Sequence, residues 1–191
     1  MLIDMHLHLQ DIKELPIRAS IMRLAQDFKA GQFVSNGTRP DDWPVVEEII
    51  RQIWNIGLDY LRESRYGFKV AGQSWQDRKT QSVRREIEAN PGNWFVSEFD
   101  GRVAGFCSLS ADTATGIGQV GQNGVHPDLK GKGCGSRQLA FVLDELRRRG
   151  MKIAEVHTGL NDEGHAPARK MYERAGFEPL FDHRTYCMKL G

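Results

Sequence analysis

The sequence has few cysteines and no excess of either charge. These two features exclude several classes of protein. Its three cysteines, Cys107, Cys134 and Cys187, are far apart and lack the spacing of metal ligands. This usage excludes a disulfide-rich scaffold and favours a reducing compartment. With 26 basic and 25 acidic side chains among 191 residues, the chain also lacks the charge excess of a nucleic-acid or membrane-surface binder.

Long apolar runs are absent as well. No stretch approaches the about 18 consecutive apolar residues of a membrane-spanning helix, and Met1 is not followed by a basic start and an apolar run of the secretory kind. We therefore expect a cytoplasmic protein with no nucleic-acid partner and no membrane partner. The sequence shows no internal repeat or low-complexity linker, and its length suits one domain with a substantial core.

The most informative segment is a glycine-rich stretch, residues 125–136, with the sequence VHPDLKGKGCGS. It follows a predicted strand and precedes apolar residues that recur at helical spacing until Gly150. Glycines in such a place allow positive φ and close approach of the backbone, while the N–H groups of the first helical turn point at an anion. The segment therefore predicts a phosphate-binding loop.

The spacing of the glycines excludes two common loops of this kind. A P-loop has Gly-Lys followed by Ser or Thr, whereas Lys132 is followed by Gly133. A dinucleotide-binding loop has Gly-x-Gly-x-x-Gly, whereas this one has Gly-x-Gly-x-Gly. Seven basic against two acidic side chains in residues 130–152 favour an anionic ligand, although Arg147 to Arg149 alternatively complement the C-terminus of the helix.

A third kind of loop fits. Lys130, Gly133 and Gly135 resemble the Arg/Gln-x-x-Gly-x-Gly/Ala loop that binds acyl-CoA in the GNAT acetyltransferase superfamily, with Lys130 in place of Arg or Gln. The preceding Val125-His126-Pro127 resembles the Val-x-Pro that closes the fourth strand of that family. Residues 168–177 resemble its Ala-x-x-x-Tyr-x-x-x-Gly-Phe helix, in the expected order. Two motifs in register identify the chain as similar to this family.

The resemblance covers residues 33–190, most closely residues 118–180, and implies the fold. That fold is a mixed α/β (α+β) domain with a central, mostly antiparallel, twisted sheet of six to seven strands flanked by helices. A V-shaped splay separates its fourth and fifth strands. We assign residues 32–191 to this domain and residues 1–31 to an N-terminal extension, which we expect to be helical.

The local sequence pattern agrees with this mixed architecture. A continuous apolar stripe predicts one helix from Val46 to Leu61, and Asp100-Gly101 between two apolar runs predicts a hairpin. Strands are also predicted near the end of the chain, over residues 179–181 and 184–190.

The resemblance implies transfer of an acyl group from acetyl-CoA to a primary amine by direct attack, with no metal and no covalent enzyme intermediate. The acceptor is an unidentified small-molecule or peptide amine, and a homodimer is left open. Backbone groups near Asn123 and Val125 would pair with pantetheine and polarise the thioester, since oriented N–H groups stabilise an oxyanion. Gly121, Asn123 and Gly124 also interrupt the apolar pattern of this strand, as a bulge would.

Further CoA contacts are implied at the loop and before the second motif. His165 stands where many members of the family carry Asn, so Asn161 is an alternative contact to pantetheine. The predicted CoA-binding residues are Asn123, Val125, Lys130, Gly131, Lys132, Gly133, Cys134, Gly135, Ser136, Asn161, His165 and Arg169.

Tyr172 is the predicted general acid, because it matches the tyrosine of the family's helix. A phenol with a pKa of about 10 stays protonated at neutral pH and can donate to the departing sulfur. The base is open, since residues 119–123 contain no carboxylate. Glu155 and His157 are the preferred candidates, His157 because its unperturbed pKa is suitable. Two further carboxylates are Glu98 and Asp112.

Two other interpretations remain. A CoA-binding regulatory module without catalysis would keep the loop, although the presence of Tyr172 argues against it. A metal-dependent hydrolase is suggested by Asp4-x-His6-x-His8, which resembles the first strand end of amidohydrolase barrels. Such a barrel needs about 250 residues, so the chain is too short for it and we expect these histidines to belong to the extension.

Overall fold

The structure is a computed structural model, and it describes residues 33–38, 40–55, 57–160 and 163–190. Phe33–Gly191 is one compact unit. The predicted N-terminal extension, with His6 and His8, lies outside the described residues, as does Asn161. In the described part, no helix is both long and apolar enough to span a membrane.

Five strands form one sheet in the order β1-β2-β3-β4-β5, antiparallel except for the parallel pair of β4 with β5. They are β1 (Phe33–Gly37), β2 (Trp94–Phe99), β3 (Arg102–Asp112), β4 (Ile117–Val125) and β5 (Ile153–Val156). The predicted hairpin turns at Asp100 and Gly101, whose φ values of 52° and 73° are those of a type I′ turn. The mixed, mostly antiparallel sheet is therefore confirmed, with five strands in the described residues.

The two strands predicted near the C-terminus are not strands in the structure. Residues 177–190 have no regular secondary structure, and the side chains of Leu180, Phe181 and Tyr186 are exposed. The Tyr66 hydroxyl donates to the carbonyl of Cys187 at 3.0 Å. An alternating apolar pattern gives a strand only where a neighbouring strand pairs with it and a core covers one face, and this segment has neither in the described structure.

In the residues that the structure describes, five α-helices flank the sheet. They are α1 (Trp43–Ile53), α2 (Leu58–Tyr66), α3 (Trp75–Ala89), α4 (Cys134–Arg148) and α5 (Ala166–Arg174). The prediction of one helix from Val46 to Leu61 is wrong, because α1 ends at Ile53 and a second helix, α2, begins at Leu58. Gly57 adopts a φ of 88° just before α2, a value outside the right-handed helical region.

The helices divide between the two faces of the sheet. On one face, which we call the α1/α3 face, Ile49, Trp54 and Val83 surround Phe106 of β3. On the other, the α4/α5 face, a second core surrounds Cys107. Phe106 and Cys107 belong to different cores because successive residues of a strand point to opposite faces.

Gly105 allows α4 to approach the sheet closely. A Cβ at this position would lie 2.2 Å from the carbonyl oxygen of Gly124 and 2.5 Å from Nε2 of Gln138. Gln138 is only 1% exposed, and its Nε2 donates to that same carbonyl at 3.3 Å. This buried hydrogen bond connects α4 to β4, and a side chain at position 105 would break it.

We expect Gly105→Ala to lower the free energy of unfolding by about 2–3 kcal/mol, because the added methyl group meets backbone rather than a movable side chain. Urea denaturation measures this change. Gly92→Ala is the matched control, because a Cβ at Gly92 would have no heavy atom within 4 Å. Equal stabilities of the two variants would contradict the close approach described here.

The three cysteines differ in their exposure. Cys107 and Cys134 are buried, whereas Cys187 is exposed. Burial raises the pKa of Cys107 to about 12 and also raises the pKa of Cys134. Since the thiolate is the reactive form, both buried thiols should be inert in the folded protein.

A thiol reagent at neutral pH should therefore modify Cys187 alone in the native protein and all three cysteines after denaturation. The modified residues can be counted by mass spectrometry. Cys187→Ser should abolish the reaction of the native protein. Rapid modification of Cys107 in the native state would show that the β3 core is open.

Candidate active site

The glycine-rich loop between β4 and α4 is built from consecutive tight turns. The ring of His126 accepts the N–H of Asp128 at 3.3 Å, and the N–H of Leu129 donates to the carbonyl of His126 at 2.9 Å. Gly131 and Gly133 follow with φ values of 78° and 79°, in the left-handed region that glycine adopts without strain. The predicted strand–loop–helix arrangement is confirmed.

The loop faces open space at the N-terminus of α4. A Cβ at Gly131 or Gly133 would have no heavy atom within 4 Å, so glycine is required there by backbone conformation and not by crowding. Gly133 is the N-cap of α4 and provides no side-chain cap, which leaves the N–H groups of the first turn directed at this space. Lys130 and Lys132 are exposed beside it. Backbone donors, a positive helix end and two cations fit a pyrophosphate.

The first residues of α4 combine packing with this role. Cys134 is 1% exposed, so only its backbone can reach the loop. A Cβ at Gly135 would lie 3.3 Å from Sδ of Met171 and 3.7 Å from Cγ2 of Val125. Gly135 therefore lets α4 lie against both β4 and α5, whereas the next residue, Ser136, is exposed.

The positive charge of residues 130–152 separates into two groups. Arg147, Arg148 and Arg149 lie at the C-terminal end of α4, where each pairs with Asp144 or Glu145. A helix of 15 residues is about 22 Å long, so these arginines do not reach the loop. They complement the helix C-terminus, whereas the positive charge at the loop end comes from Lys130, Lys132 and Arg137, which lies in the first turn of α4.

β4 contains the bulge that its glycines predict. Cys107 of β3 pairs with Asn123, but Leu109, two residues further on, pairs with Val120, three residues away from Asn123. β4 therefore contains one more residue than β3 in this interval. Such a count defines a β-bulge.

The hydroxyl of Ser108 holds the bulge from the opposite strand. It accepts the N–H of Gln122 at 2.8 Å and donates to the carbonyl of the same residue at 3.3 Å. A Cβ at Gly121 would lie 2.4 Å from this hydroxyl oxygen. Glycine at position 121 is therefore required for the hydrogen bonds that replace normal pairing.

The bulge reverses the alternation of side chains along β4. Val120 belongs to the core of the α4/α5 face, and strict alternation would place Asn123 on the other face. The extra residue instead turns Asn123 toward α5 and Gln122 toward α3, where its Nε2 donates to Oε2 of Glu86 at 3.3 Å. Adjacent side chains thus reach opposite sides of the sheet.

Asn123 and Tyr172 meet on the α4/α5 face. Nδ2 of Asn123 donates to the Tyr172 hydroxyl at 3.0 Å, and the tyrosine is 6% exposed. Burial raises the pKa of Tyr172, opposed only in part by the hydrogen bond from Asn123. The hydroxyl is therefore protonated at neutral pH. The structure brings together two residues that were predicted from separate motifs.

The pairing of β4 with β5 is confined to one end of β4. It runs from Ile117 opposite Ile153 to Val120 opposite Val156, whereas β4 continues to Val125. The bulge and Asn123 therefore lie in the part of β4 that extends past its pairing with β5.

The two preferred bases lie beside the paired part. Gln119 is opposite Glu155, and its Nε2 lies 3.2 Å from Nδ1 of His157. Glu155 and His157 are both exposed. Because Val120 points to the α4/α5 face, Gln119 points to the α1/α3 face. Their roles as bases stay predictions.

His165 and Arg169 contact the segment that follows β5. Nη1 of Arg169 donates to the carbonyl of Gly159 at 2.5 Å, and a Cβ at Gly159 would lie 2.8 Å from Nδ1 of His165. Both side chains therefore support this segment. Their predicted contacts with CoA stay predictions.

Sequence reasoning missed four residues around the bulge. Ser108 and Gln138 are polar residues within apolar runs, a signal that marks buried polar groups with specific partners. Gln122 and Glu86 carried no such signal, because their contact joins positions 36 residues apart.

Two of the cavities in the described part of the chain differ in size and position. The larger, of about 300 Å³, adjoins the start of β3 and does not include Tyr172; it is lined by Val45, Glu48, Arg102, Val103 and His126. The smaller, of about 10 Å³, lies beneath Asn123 and Gly135. Among the residues that the structure describes, no group of three His, Cys, Asp or Glu side chains could hold a metal ion.

Known proteins share both the sequence pattern and the fold. The model of the acetyltransferase (GNAT) family matches residues 52–177. An N-acetyltransferase of Methanocaldococcus jannaschii is 28% identical over 97 residues, which are 48% of this chain and 42% of that protein. A mycothiol acetyltransferase of Streptomyces avermitilis is 32% identical over 104 residues, 54% of this chain and 33% of its own. The chain thus spans less than half the length of these relatives.

Solved structures extend the similarity of fold. The PaiA N-acetyltransferase of Thermoplasma acidophilum, in complex with coenzyme A, has a TM-score of 0.59 at 14% identity and covers 77% of this chain and 90% of its own. The aminoglycoside N-acetyltransferase AAC(6')-Iy, in complex with CoA, has a TM-score of 0.56 at 15% identity. The match covers 85% of this chain and 98% of that protein. Because the family model matches well over half of its residues, the chain belongs to the GNAT acetyltransferase family.

Proposed function

We propose that this protein transfers an acetyl group from acetyl-CoA to a primary amine by direct attack in a ternary complex. The observation that carries the proposal is the 3.0 Å hydrogen bond between Asn123 and the Tyr172 hydroxyl. It places a protonated phenol at the bulge of β4, in the part of this strand that leads into the anion-binding loop. The proposed acid and the proposed anion-binding loop are thus connected by one short segment of backbone.

The loop and the free part of β4 would hold CoA. Lys130, Lys132 and the first-turn N–H groups of α4 would bind its pyrophosphate, since both lysines are exposed in the loop that precedes this helix end. Residues 121–125 extend past the pairing with β5, so their backbone groups on that side suit hydrogen bonds to the pantetheine arm. This unpaired end of β4 would form one side of the V-shaped splay that the resemblance to the family implies.

Two groups of this chain would act on the thioester. Backbone N–H groups near Asn123 and Val125 would stabilise the negative charge that develops on the carbonyl oxygen. Tyr172 would donate to the sulfur as its bond to carbon breaks. The raised pKa of Tyr172 keeps the donor protonated throughout the neutral pH range.

The proposed acceptor is a primary amine of a small molecule or peptide. Two of the similar proteins are named for mycothiol and for aminoglycosides, so the first panel of acceptors contains small-molecule and peptide amines of several classes, aminoglycosides among them. Release of free thiol from acetyl-CoA across such a panel measures the activity.

Saturating acetyl-CoA should raise the melting temperature. A ligand at 100 times its dissociation constant adds about 2.7 kcal/mol to the free energy of unfolding. Gly133→Val should abolish this shift, because a β-branched residue disfavours the φ of 79° that shapes the loop. Differential scanning fluorimetry measures both effects.

Gly150→Val is the matched control for this test. Gly150 follows the other end of α4 with a φ of 81°, and a Cβ there would also have no heavy atom within 4 Å. The control should lose similar stability but keep the shift with acetyl-CoA. An unchanged melting temperature of the folded wild-type protein would refute the CoA assignment.

Tyr172→Phe should lower kcat by roughly 10- to 1,000-fold, because general acid catalysis contributes about 10²- to 10⁴-fold and a thiolate is already a fair leaving group. The variant keeps the ring but removes the acceptor of the Asn123 bond, so stability should fall by about 1 kcal/mol. Raising the amine concentration should restore little activity, since the lost interaction belongs to the transition state.

The control is Tyr186→Phe, because Tyr186 is 87% exposed. The kcat of this variant, measured by steady-state kinetics with acetyl-CoA, should equal that of the wild type. If Tyr172→Phe also turned over like the wild type, Tyr172 would have no role as acid. A wild-type protein that bound acetyl-CoA without using any amine would instead be a CoA-binding module.

A further inference from the structure

A carboxylate lies at the bulge on the α1/α3 face. Glu86 of α3 is partly buried, and each of its oxygens accepts one hydrogen bond from a neutral donor. Nε2 of Gln122 donates to Oε2 at 3.3 Å, and the hydroxyl of Ser82 donates to Oε1 at 3.0 Å. A carboxylate has about four lone-pair sites, so these two contacts fix its position and leave sites that can take a proton.

The position of Glu86 is set by the same bulge that sets the position of Tyr172. Ser108 binds both backbone groups of Gln122, and Gln122 in turn contacts Glu86. The next residue, Asn123, contacts Tyr172 on the other face. Tyr172, a proton donor, and Glu86, a carboxylate, therefore lie on opposite faces of the unpaired part of β4. Each contacts one of two adjacent residues of this strand.

A cation lies near this carboxylate. Lys79 is seven residues before Glu86 on α3, and its ammonium is 4.5 Å from the centre of the Trp54 ring. Burial lowers the pKa of Lys79, and the charge of Glu86 acts against that change. The charges of Lys79 and Glu86 therefore interact on this side of α3.

Resting on the proposed function, we propose that Glu86 is the proton acceptor for the attacking amine and that Gln122 is its positioning residue. The amine nitrogen bonds to the carbonyl carbon and the carbon–sulfur bond breaks. A protonated amine first gives one proton to Glu86, which frees the lone pair of the nitrogen for this attack. After the bond has formed, the nitrogen loses its second proton to water, and one proton passes from Tyr172 to the sulfur. Exchange of protons with water then restores both side chains.

Glu155 and His157 lie on the same face but at a different place. Both are associated with Gln119, where β4 still pairs with β5, whereas Gln122 lies past that pairing. Glu86 is therefore the carboxylate connected to the bulge itself. His157→Gln serves as the competing variant in the test.

The experiment compares Glu86→Gln with Glu88→Gln, a control on the same helix. Glu88 is exposed and pairs with Arg84 at 3.1 Å. Thiol release from acetyl-CoA is measured with ethylamine, which is protonated at neutral pH, and with hydroxylamine, which is largely neutral there. The uncatalysed rate is subtracted, and melting temperatures with and without acetyl-CoA are recorded for every variant.

If Glu86 accepts the proton, Glu86→Gln should lower kcat with ethylamine by about 100-fold or more and lower it clearly less with hydroxylamine. The increase in melting temperature that acetyl-CoA causes should be the same for Glu86→Gln as for the Glu88→Gln control. Equal losses with both amines would show a merely structural role and overturn the inference. So would a loss confined to His157→Gln.

The proposed function fails in a different way. If wild-type protein shows no shift with acetyl-CoA, or binds it but releases thiol with neither amine nor any member of the acceptor panel, the transferase proposal falls and this inference with it. A wild-type protein that is active, with Glu86→Gln equal to Glu88→Gln, refutes the role of Glu86 alone.

Discussion

The bulge in β4 is the constraint on which the rest of the site depends. One extra residue, held by two hydrogen bonds between Ser108 and Gln122, changes which face every later side chain of the strand occupies. Asn123 can reach Tyr172 only because of this change. Gly124, one residue further, then faces the opposite side, where a Cβ would lie 2.8 Å from Ile53 and 2.9 Å from Phe106. The glycines of β4 are therefore needed for packing around the bulge.

The parts of the fold that local chemistry determines could be predicted from the sequence. The hairpin at Asp100-Gly101, the α4 helix with its glycine stop and the bulge in β4 all follow from residue types that favour one backbone conformation. Tyr172 and the glycine loop could be placed because their motifs resemble a family with a known order of elements. Both kinds of signal lie within a few residues of the feature that they predict.

The parts that the sequence did not predict depend on contacts between distant residues. The apolar stripe from Val46 to Leu61 concealed the break at Gly57, since periodicity alone does not reveal a positive φ. Strands were predicted over residues 179–181 and 184–190, but a strand depends on a partner that local sequence cannot supply. The contact between Glu86 and Gln122 joins residues 36 positions apart, and neither residue type predicts it.

The turns of the glycine loop have a thermodynamic consequence for binding. The N–H of Lys130 donates to the carbonyl of Pro127 at 3.1 Å, and that of Lys132 donates to Leu129 at 3.3 Å. These bonds belong to the folded chain itself, so the conformational entropy of Gly131 and Gly133 is lost when the protein folds. An anion that binds to this preorganised loop loses little binding free energy to ordering the backbone. Few contacts are therefore enough for a given affinity.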